Sequence, residues 1–371
     1  MYIKKLDVHR LRNLEQIQLS FCPSANLIYG VNGSGKTSLL EALYLLGRGR
    51  SFRSRNIRTV IQHDTSDCVV FAQLFDPQSE RAIPIGVQRT RKGEFHFKVN
   101  GESVPTAAGL VEELPIQLLN SQSFDLLEGG PLQRRQFLDW GVFHVEHDYP
   151  GLWKALQRCL KHRNSLLRHD RMGGRQEDRA LLEELAVWDA EFSRLSEQVD
   201  GNRQAYLSQF KPVFQDILQR LTNVADIDFA YQPGWDHGRP LLDVLASSRE
   251  RDLKNRTTHY GPHRADVRLK VSGCPAGDVL SRGQIKTVVC ALRIAQGYLY
   301  HQITDKQCVY LLDDLPAELD SEHRKRVGQL LNELGAQVFI TGVFKEDLQA
   351  AWPQDGEFAM FHVEHGVVSP Q

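Results

Sequence analysis

The stretch Gly30-Val31-Asn32-Gly33-Ser34-Gly35-Lys36-Thr37 decides how this chain is read. The apolar Leu27-Ile28-Tyr29 precedes it, and Ser38-Leu39-Leu40-Glu41-Ala42-Leu43-Tyr44-Leu45-Leu46 follows. The pattern predicts a short buried strand, a glycine-rich loop and a helix, the context in which G-x-x-x-x-G-K-[ST] becomes a phosphate cradle. Glycines let the backbone curl so that successive N–H groups converge on a phosphate, and the helix N-terminus adds its partial positive charge. Lys36 is expected to reach the β/γ oxygens as a point charge, and the Thr37 hydroxyl to hold Mg²⁺. The expected ligand is a nucleoside triphosphate.

Composition narrows the setting. At 371 residues the chain has room for two domains, and 41% hydrophobic with 25% charged residues describes an ordinary soluble protein. No stretch approaches ~20 apolar residues, so no membrane span is expected. Met1-Tyr2-Ile3-Lys4-Lys5 begins like a strand and lacks signal-peptide anatomy. The six cysteines are scattered without a C-x-x-C pair, which fits reduced residues in a cytosolic protein. A net charge of −1 means that any DNA-binding surface must be local.

Period-two apolar spacing predicts strands over 2–29, at Ile3, Leu6 and Val8 and again at Ile17, Leu19 and Phe21. The polar corner between them carries Arg12 and Asn13, read either as turn residues or as a site element. Five arginines fall between Arg48 and Arg58 with no acid among them, including Arg48, Arg50, Arg53 and Arg55. This loop is either a solvated turn or a contact for phosphate or DNA backbone, and the missing acids favour the second. Strands are expected at Cys68–Phe75, Ile83–Gln88 and Glu94–Val99, the last turning at Asn100-Gly101. A helical region should start near Pro131, with apolar stripes through 151–169, 185–199 and 206–221 and a break at Asp200-Gly201-Asn202.

Charge is segregated in these helices: seven Lys/Arg over 154–175 and eight Asp/Glu over 177–200. Either the helices lie antiparallel and neutralise one another, or a basic face meets DNA. Phe-His-Val-Glu-His occurs at 143–147 and at 361–365. It is not the H-E-x-x-H zinc pattern, and its copies fall in different expected elements, which favours coincidence over a metal site.

The second half narrows the chemistry. Val309-Tyr310-Leu311-Leu312 predicts a buried strand ending in Asp313-Asp314: one carboxylate for Mg²⁺, the other to orient an attacking water. Upstream, Leu280-Ser281-Arg282-Gly283-Gln284 opens a helix and is the ATP-binding-cassette signature. The chain's own loop already wraps its nucleotide. Ser281, Gly283 and Gln284 should therefore serve the ATP of a second subunit, so that two chains sandwich two ATPs.

With these motifs the whole chain resembles the RecF family of bacterial recombinational-repair proteins, relatives of the SMC-type ATPases. Gly129-Gly130-Pro131-Leu132-Gln133-Arg134-Arg135-Gln136-Phe137-Leu138-Asp139 and Leu311-Leu312-Asp313-Asp314-Leu315-Pro316-Ala317-Glu318-Leu319-Asp320 carry the resemblance further. It implies an α/β fold: an ABC/SMC-type P-loop ATPase head over 1–115 and 260–371, with an inserted, mainly helical lobe over 116–259. It also implies a weak DNA-dependent ATPase that closes as an ATP-bound homodimer on duplex DNA and single-strand/duplex junctions. The expected setting is the cytoplasm, at the nucleoid, with RecR and RecO in the same repair and damage-response pathway. By the same resemblance Gln122 stands at the Q-loop, although Ser121-Gln122 replaces the usual proline and acidic residue. Arg12-Asn13 matches the corner that contacts nucleotide in SMC-type heads. The competing expectation is the nucleotide-binding subunit of a membrane transporter. Against it stand Asp314 where glutamate is usual, Thr341 where a switch histidine is usual, and about 245 residues between Lys36 and Ser281.

Overall fold

The computed structural model describes residues 1–168, 175–224 and 227–371, with side chains except those of 175–178. These residues form two compact units. One comprises 1–124, 216–224 and 281–371; the other comprises 125–215 and 225–280.

The first unit begins with β1 (Tyr2–Leu11), β2 (Leu14–Ser20) and β3 (Ala25–Tyr29), then α1 (Lys36–Arg48), β4 (Asp67–Asp76) and β5 (Arg81–Thr90). Next come β6 (Phe95–Val99), β7 (Glu102–Val104), α2 (Ala108–Glu113) and β8 (Ile116–Leu119). Asn100 and Gly101 turn between β6 and β7 with positive φ, as the hairpin signal requires. β1, β2, β4, β5, β6 and β7 make an antiparallel sheet in the order β2-β1-β4-β5-β6-β7.

The second unit runs through α3 (Asp125–Glu128), α4 (Pro131–Val145), α5 (Tyr149–Leu167), α6 (Arg175–Leu221), β9 (Ile227–Gln232) and α7 (Leu241–Asn255). It closes with β10 (Asp266–Val271), β11 (Cys274–Pro275) and α8 (Ala276–Val279), where β10 pairs between β9 and β11. Pro131 sits in the first turn of α4, where its missing N–H costs nothing. The final turns of α6, from Asp216, cluster with the first unit.

The chain then returns to the first unit with α9 (Arg282–Thr304), β12 (Val309–Leu312), α10 (Leu315–Glu318), α11 (Ser321–Glu333) and β13 (Val338–Gly342). It ends with α12 (Lys345–Ala351), β14 (Phe358–Glu364) and β15 (Val367–Pro370). Its second sheet, β15-β14-β3-β13-β12-β8, is parallel except at β15. β8 pairs with β12 and β10 with β9, so the units divide at 124/125 and 280/281, where the sequence suggests 115/116 and 259/260.

α1 is buried on almost every side. Leu39, Leu40, Leu43, Leu45 and Leu46 are fully shielded, in one core with Val8 and Val70 of the antiparallel sheet and Leu311, Phe339 and Phe361 of the parallel one. A helix apolar all round needs cover on all sides, and the two sheets give it.

In α6 the expected break at Asp200-Gly201-Asn202 does not occur; the helix continues for 47 residues. Glycine costs a helix about 1 kcal/mol, but the buried stripe Phe192, Leu195, Val199, Tyr206, Phe210 and Phe214 runs straight through. Asp200 does not turn back on its own backbone, because Tyr231 Oη and Gln204 Nε2 donate to its carboxylate at 2.7 and 2.6 Å. The expected charge pairing of these helices rests partly on Asp170, Arg171 and the 175–178 side chains, which lie outside the described residues. What is described pairs α5 with α6. The fully buried Arg163 donates to Asp189 at 2.7 Å and to Asp252 of α7 at 2.8 Å. Among the described residues no helix is long and apolar enough to cross a membrane.

Removing Arg163 would take away the cation that bridges two buried carboxylates, leaving Asp189 with Arg249 and Asp252 with His259. Arg163→Met is expected to destabilise the fold by about 3–5 kcal/mol, read as a lower urea midpoint at unchanged slope.

Candidate functional site

The parallel register sets the site. Tyr29 of β3 lies beside Gly342, Ile340 beside Leu312, and Leu312 beside Leu119, so these strands end along one edge. At that edge the chain from β3 turns into the glycine loop. Gly30, Gly33 and Gly35 all have positive φ. A Cβ on Gly30 would lie 2.2 Å from the Val363 carbonyl, so only glycine fits there. The Lys36 ammonium is held by the carbonyls of Gly30 and Val31 at 2.7 and 2.9 Å. Burial lowers its pKa, opposed by the carboxylates of Asp314 and Asp313.

Asp313 ties the edge together. Its Oδ1 accepts the hydroxyls of Thr37 at 3.0 Å and Thr341 at 2.9 Å, and Thr341 Oγ1 in turn accepts the Asp314 N–H at 2.7 Å. Burial raises the Asp313 pKa; the two hydroxyls oppose this, and Asp314 adds to it. Asp314 adopts left-handed φ, which aspartate tolerates, and its carboxylate carries no hydrogen bond among the described residues. Thr341 is the residue that sequence reasoning noticed only as a missing histidine. Its strand-end position beside an aspartate was the available signal.

The loop is also braced from outside. Asn13 Nδ2 donates to the Ser34 carbonyl at 3.0 Å and Asn13 Oδ1 accepts from Ser38 Oγ at 2.9 Å. Gly366 N–H reaches the same Ser34 carbonyl at 2.8 Å. The second Phe-His-Val-Glu-His copy therefore lies on β14 and the turn that supports the loop; the first copy lies at the end of α4. Ser34 Oγ is buried with no hydrogen-bond partner.

The Arg12 guanidinium forks onto the buried Glu41 of α1 at 2.9 Å twice and donates to the Thr59 carbonyl at 2.5 Å. Gln122 is exposed on the turn after β8, which Asn120 and Ser123 hold by mutual hydrogen bonds. Ser281 and Gln284 form a reciprocal capping box at the start of α9. Ser281, Gly283 and Gln284 are exposed, and a Cβ on Gly283 would meet nothing within 4 Å. Lys286, one turn on, pairs with Glu318 of α10 at 2.7 Å.

The arginine run divides. Arg50, Arg53 and Arg55 are exposed, but Arg48 does not belong to their surface. α1 is buried to its last turn, so the Arg48 Nε is enclosed without a partner, and burial lowers its pKa. Arg53 lies 3.6 Å from Glu41, whose carboxylate also accepts Ser51 Oγ at 2.5 Å.

The family described as RecF/RecN/SMC N terminal domain matches residues 2–369. The chain is 49% identical over 370 residues to the DNA replication and repair protein RecF of Stutzerimonas stutzeri, covering 100% of this chain and 97% of that one. A solved structure of the recombination mediator protein RecF-ATP in the RecFOR pathway matches with TM-score 0.86 at 27% identity, covering 100% of this chain and 97% of the other. An SMC head bound to the C-winged helix domain of ScpA matches at TM-score 0.60 and 15% identity, over 100% of this chain and 97% of that one, a likeness of fold alone. The fold is thus that of an ABC/SMC-type head, and the transporter alternative gains nothing from these likenesses.

The raised Asp313 pKa carries a sign. Relative to the unfolded chain, ionised Asp313 is a cost to the fold above the ordinary carboxylate range, and that cost vanishes below it. Asp313→Asn is therefore expected to raise the ligand-free Tm at pH 7–8, with the gain disappearing as the pH falls towards about 4, read by calorimetry across pH.

Proposed function

The chain belongs to the RecF family, within the RecF/RecN/SMC group, and on that premise we propose that it is an ATP-gated DNA-repair protein. In this reading two copies close on gapped or damaged DNA, at duplex and single-strand/duplex junctions, when ATP binds. They open on slow hydrolysis, in the cytoplasm at the nucleoid, in a pathway with RecR and RecO. The observation that carries the reading is the Asp313 carboxylate fastened to Thr37 beside a braced glycine loop. The buried, unpartnered Ser34 hydroxyl suits a phosphate oxygen, and the hydroxyl–carboxylate pair suits a hard cation.

Each residue then has a task. Lys36 would exchange its two loop carbonyls for β- and γ-phosphate oxygens. Thr37 and Asp313 would hold Mg²⁺, which supplies charge neutralisation across those phosphates. Loop N–H groups from Gly30 to Gly35 and the α1 N-terminus would face the phosphates, with Asn13 fixing the loop's far side. Asp314 would position water, with Gln122 the other candidate. Aspartate reaches one methylene less far than glutamate, and a misplacement of about 1 Å can cost on the order of a hundredfold in rate, which supports weak turnover; that DNA stimulates it belongs to the same proposal.

Ser281, Gly283 and Gln284 would meet the γ-phosphate of the second copy. Their exposure supports this, as does the empty space around Gly283: a side chain there offends nothing within its own chain. Arg50, Arg53 and Arg55 would contact DNA backbone.

Ser281→Arg is expected to bind ATP as a monomer with affinity within about threefold of the parent, yet to stay monomeric by light scattering. A mutant dimer in ATP would overturn the placement in trans. Asp314→Asn is expected to bind Mg-ATP and accumulate as a closed, DNA-bound dimer with turnover down about a hundredfold. Parental turnover would pass the water-positioning role to Gln122.

A further inference from the structure

The β5–β6 hairpin carries an exposed aromatic that the fold does not need. Arg89 and Phe95 face each other across the two strands, as do Val87 and Phe97. Phe97 is buried and packs over the α1 C-cap, where its ring limits the space at Gly49. Phe95, two residues away on the same face, stacks on Phe97 with ring centroids 5.1 Å apart and planes 23° apart. Its ring nonetheless leaves 48% of the residue in solvent. One side is backed by the Arg89 guanidinium, 5.7 Å from the ring centroid, and Arg89 is itself fixed by donating to the Gly49 carbonyl at 3.0 Å.

Further cations lie on the loop tied to this hairpin. The arginine loop starts at Gly49 and carries the exposed Arg50, Arg53, Arg55 and Arg58. Arg58 Nε donates to the Arg91 carbonyl at 3.2 Å, which fastens the loop to the hairpin end. Lys92 in the turn is exposed, whereas Lys98 of β6 alternates to the other face of the sheet. The hairpin's own acid, Glu94, is exposed and accepts from Thr90 Oγ1 at 3.2 Å. An aromatic face backed by a fixed guanidinium, beside a loop of exposed arginines, matches what single-stranded nucleic acid requires: a charged track for phosphates and a flat ring for a base.

We propose that Phe95, backed by Phe97 and Arg89, is a stacking platform for an unpaired DNA base, and that the arginine loop and Lys92 hold the adjoining backbone. This deepens the DNA-binding reading given above and rests on it. Bases inside a duplex are already stacked on their neighbours, so Phe95 selects single-strand character while the arginines serve both forms.

The test measures binding of an oligothymidylate and of a duplex of equal length by fluorescence anisotropy, with Mg-ATP, for the parent, Phe95→Ala, Phe95→Trp and an Arg50→Ala/Arg55→Ala pair. Phe95→Ala is expected to weaken single-strand binding by roughly fivefold to a hundredfold and to leave duplex binding within twofold. Phe95→Trp should retain single-strand affinity, with its indole fluorescence quenched on addition of oligothymidylate. The arginine pair should weaken both forms together and lower the salt slope. The platform is overturned if Phe95→Ala binds the single strand within twofold of the parent, or loses both forms equally. It is also overturned if the indole is not quenched while the strand is bound. If the parent binds neither form, the DNA-binding reading itself falls, and the platform with it.

Discussion

Asp313 takes two threonine hydroxyls on one carboxylate oxygen, from Thr37 at the head of α1 and from Thr341 at the end of β13. These groups come from three distant stretches of chain, and the parallel register of β3, β13 and β12 brings them within 3.0 Å. The rest of the head is arranged around keeping that meeting point fixed. α1 cannot tilt, because both sheets enclose it. The glycine loop cannot relax, because Asn13 and Gly366 hold the Ser34 carbonyl from opposite ends of the sequence. Burial burdens this carboxylate, and carboxyl groups perturbed in this way cluster at functional sites.

Glu41 plays the complementary part on the far side of α1. It is fully buried, and it gathers the Arg12 fork, the Ser51 hydroxyl and the charge of Arg53. A buried carboxylate is tolerable only when so compensated. The helix that begins with Lys36 thus also anchors the start of the arginine loop. The glycine loop and the arginine loop flank one enclosed helix.

Much of this was legible because the information is local. The glycine loop, the Asp313-Asp314 strand end and the Ser281–Gln284 cap are contiguous stretches whose conformation follows from their own residues. What could not be read depends on neighbours distant in sequence. Arg48 belongs by charge density to the exposed loop, but it closes a helix buried to its final turn. Asp200-Gly201-Asn202 looks like a helix stop, yet an apolar stripe on both sides and a tyrosine from β9 carry α6 through it. The fork of Arg12 onto the buried Glu41 joins residues that no spacing rule couples. α12 is only seven residues long, too short to show a period of its own.

The turn at Val363–Gly366 has a consequence for biosynthesis. Gly30 packs on the Val363 carbonyl, and Gly366 hydrogen-bonds Ser34, about 330 residues upstream. A nascent chain leaving the ribosome therefore carries a complete glycine motif long before it has the strand that braces it. Contacts of such sequence separation form slowly, because loop closure must come first. Through most of translation the apolar sides of α1 and β3 lack part of their cover. The cell must tolerate that exposed intermediate, or shield it with a chaperone, until β14 arrives to close the sheet.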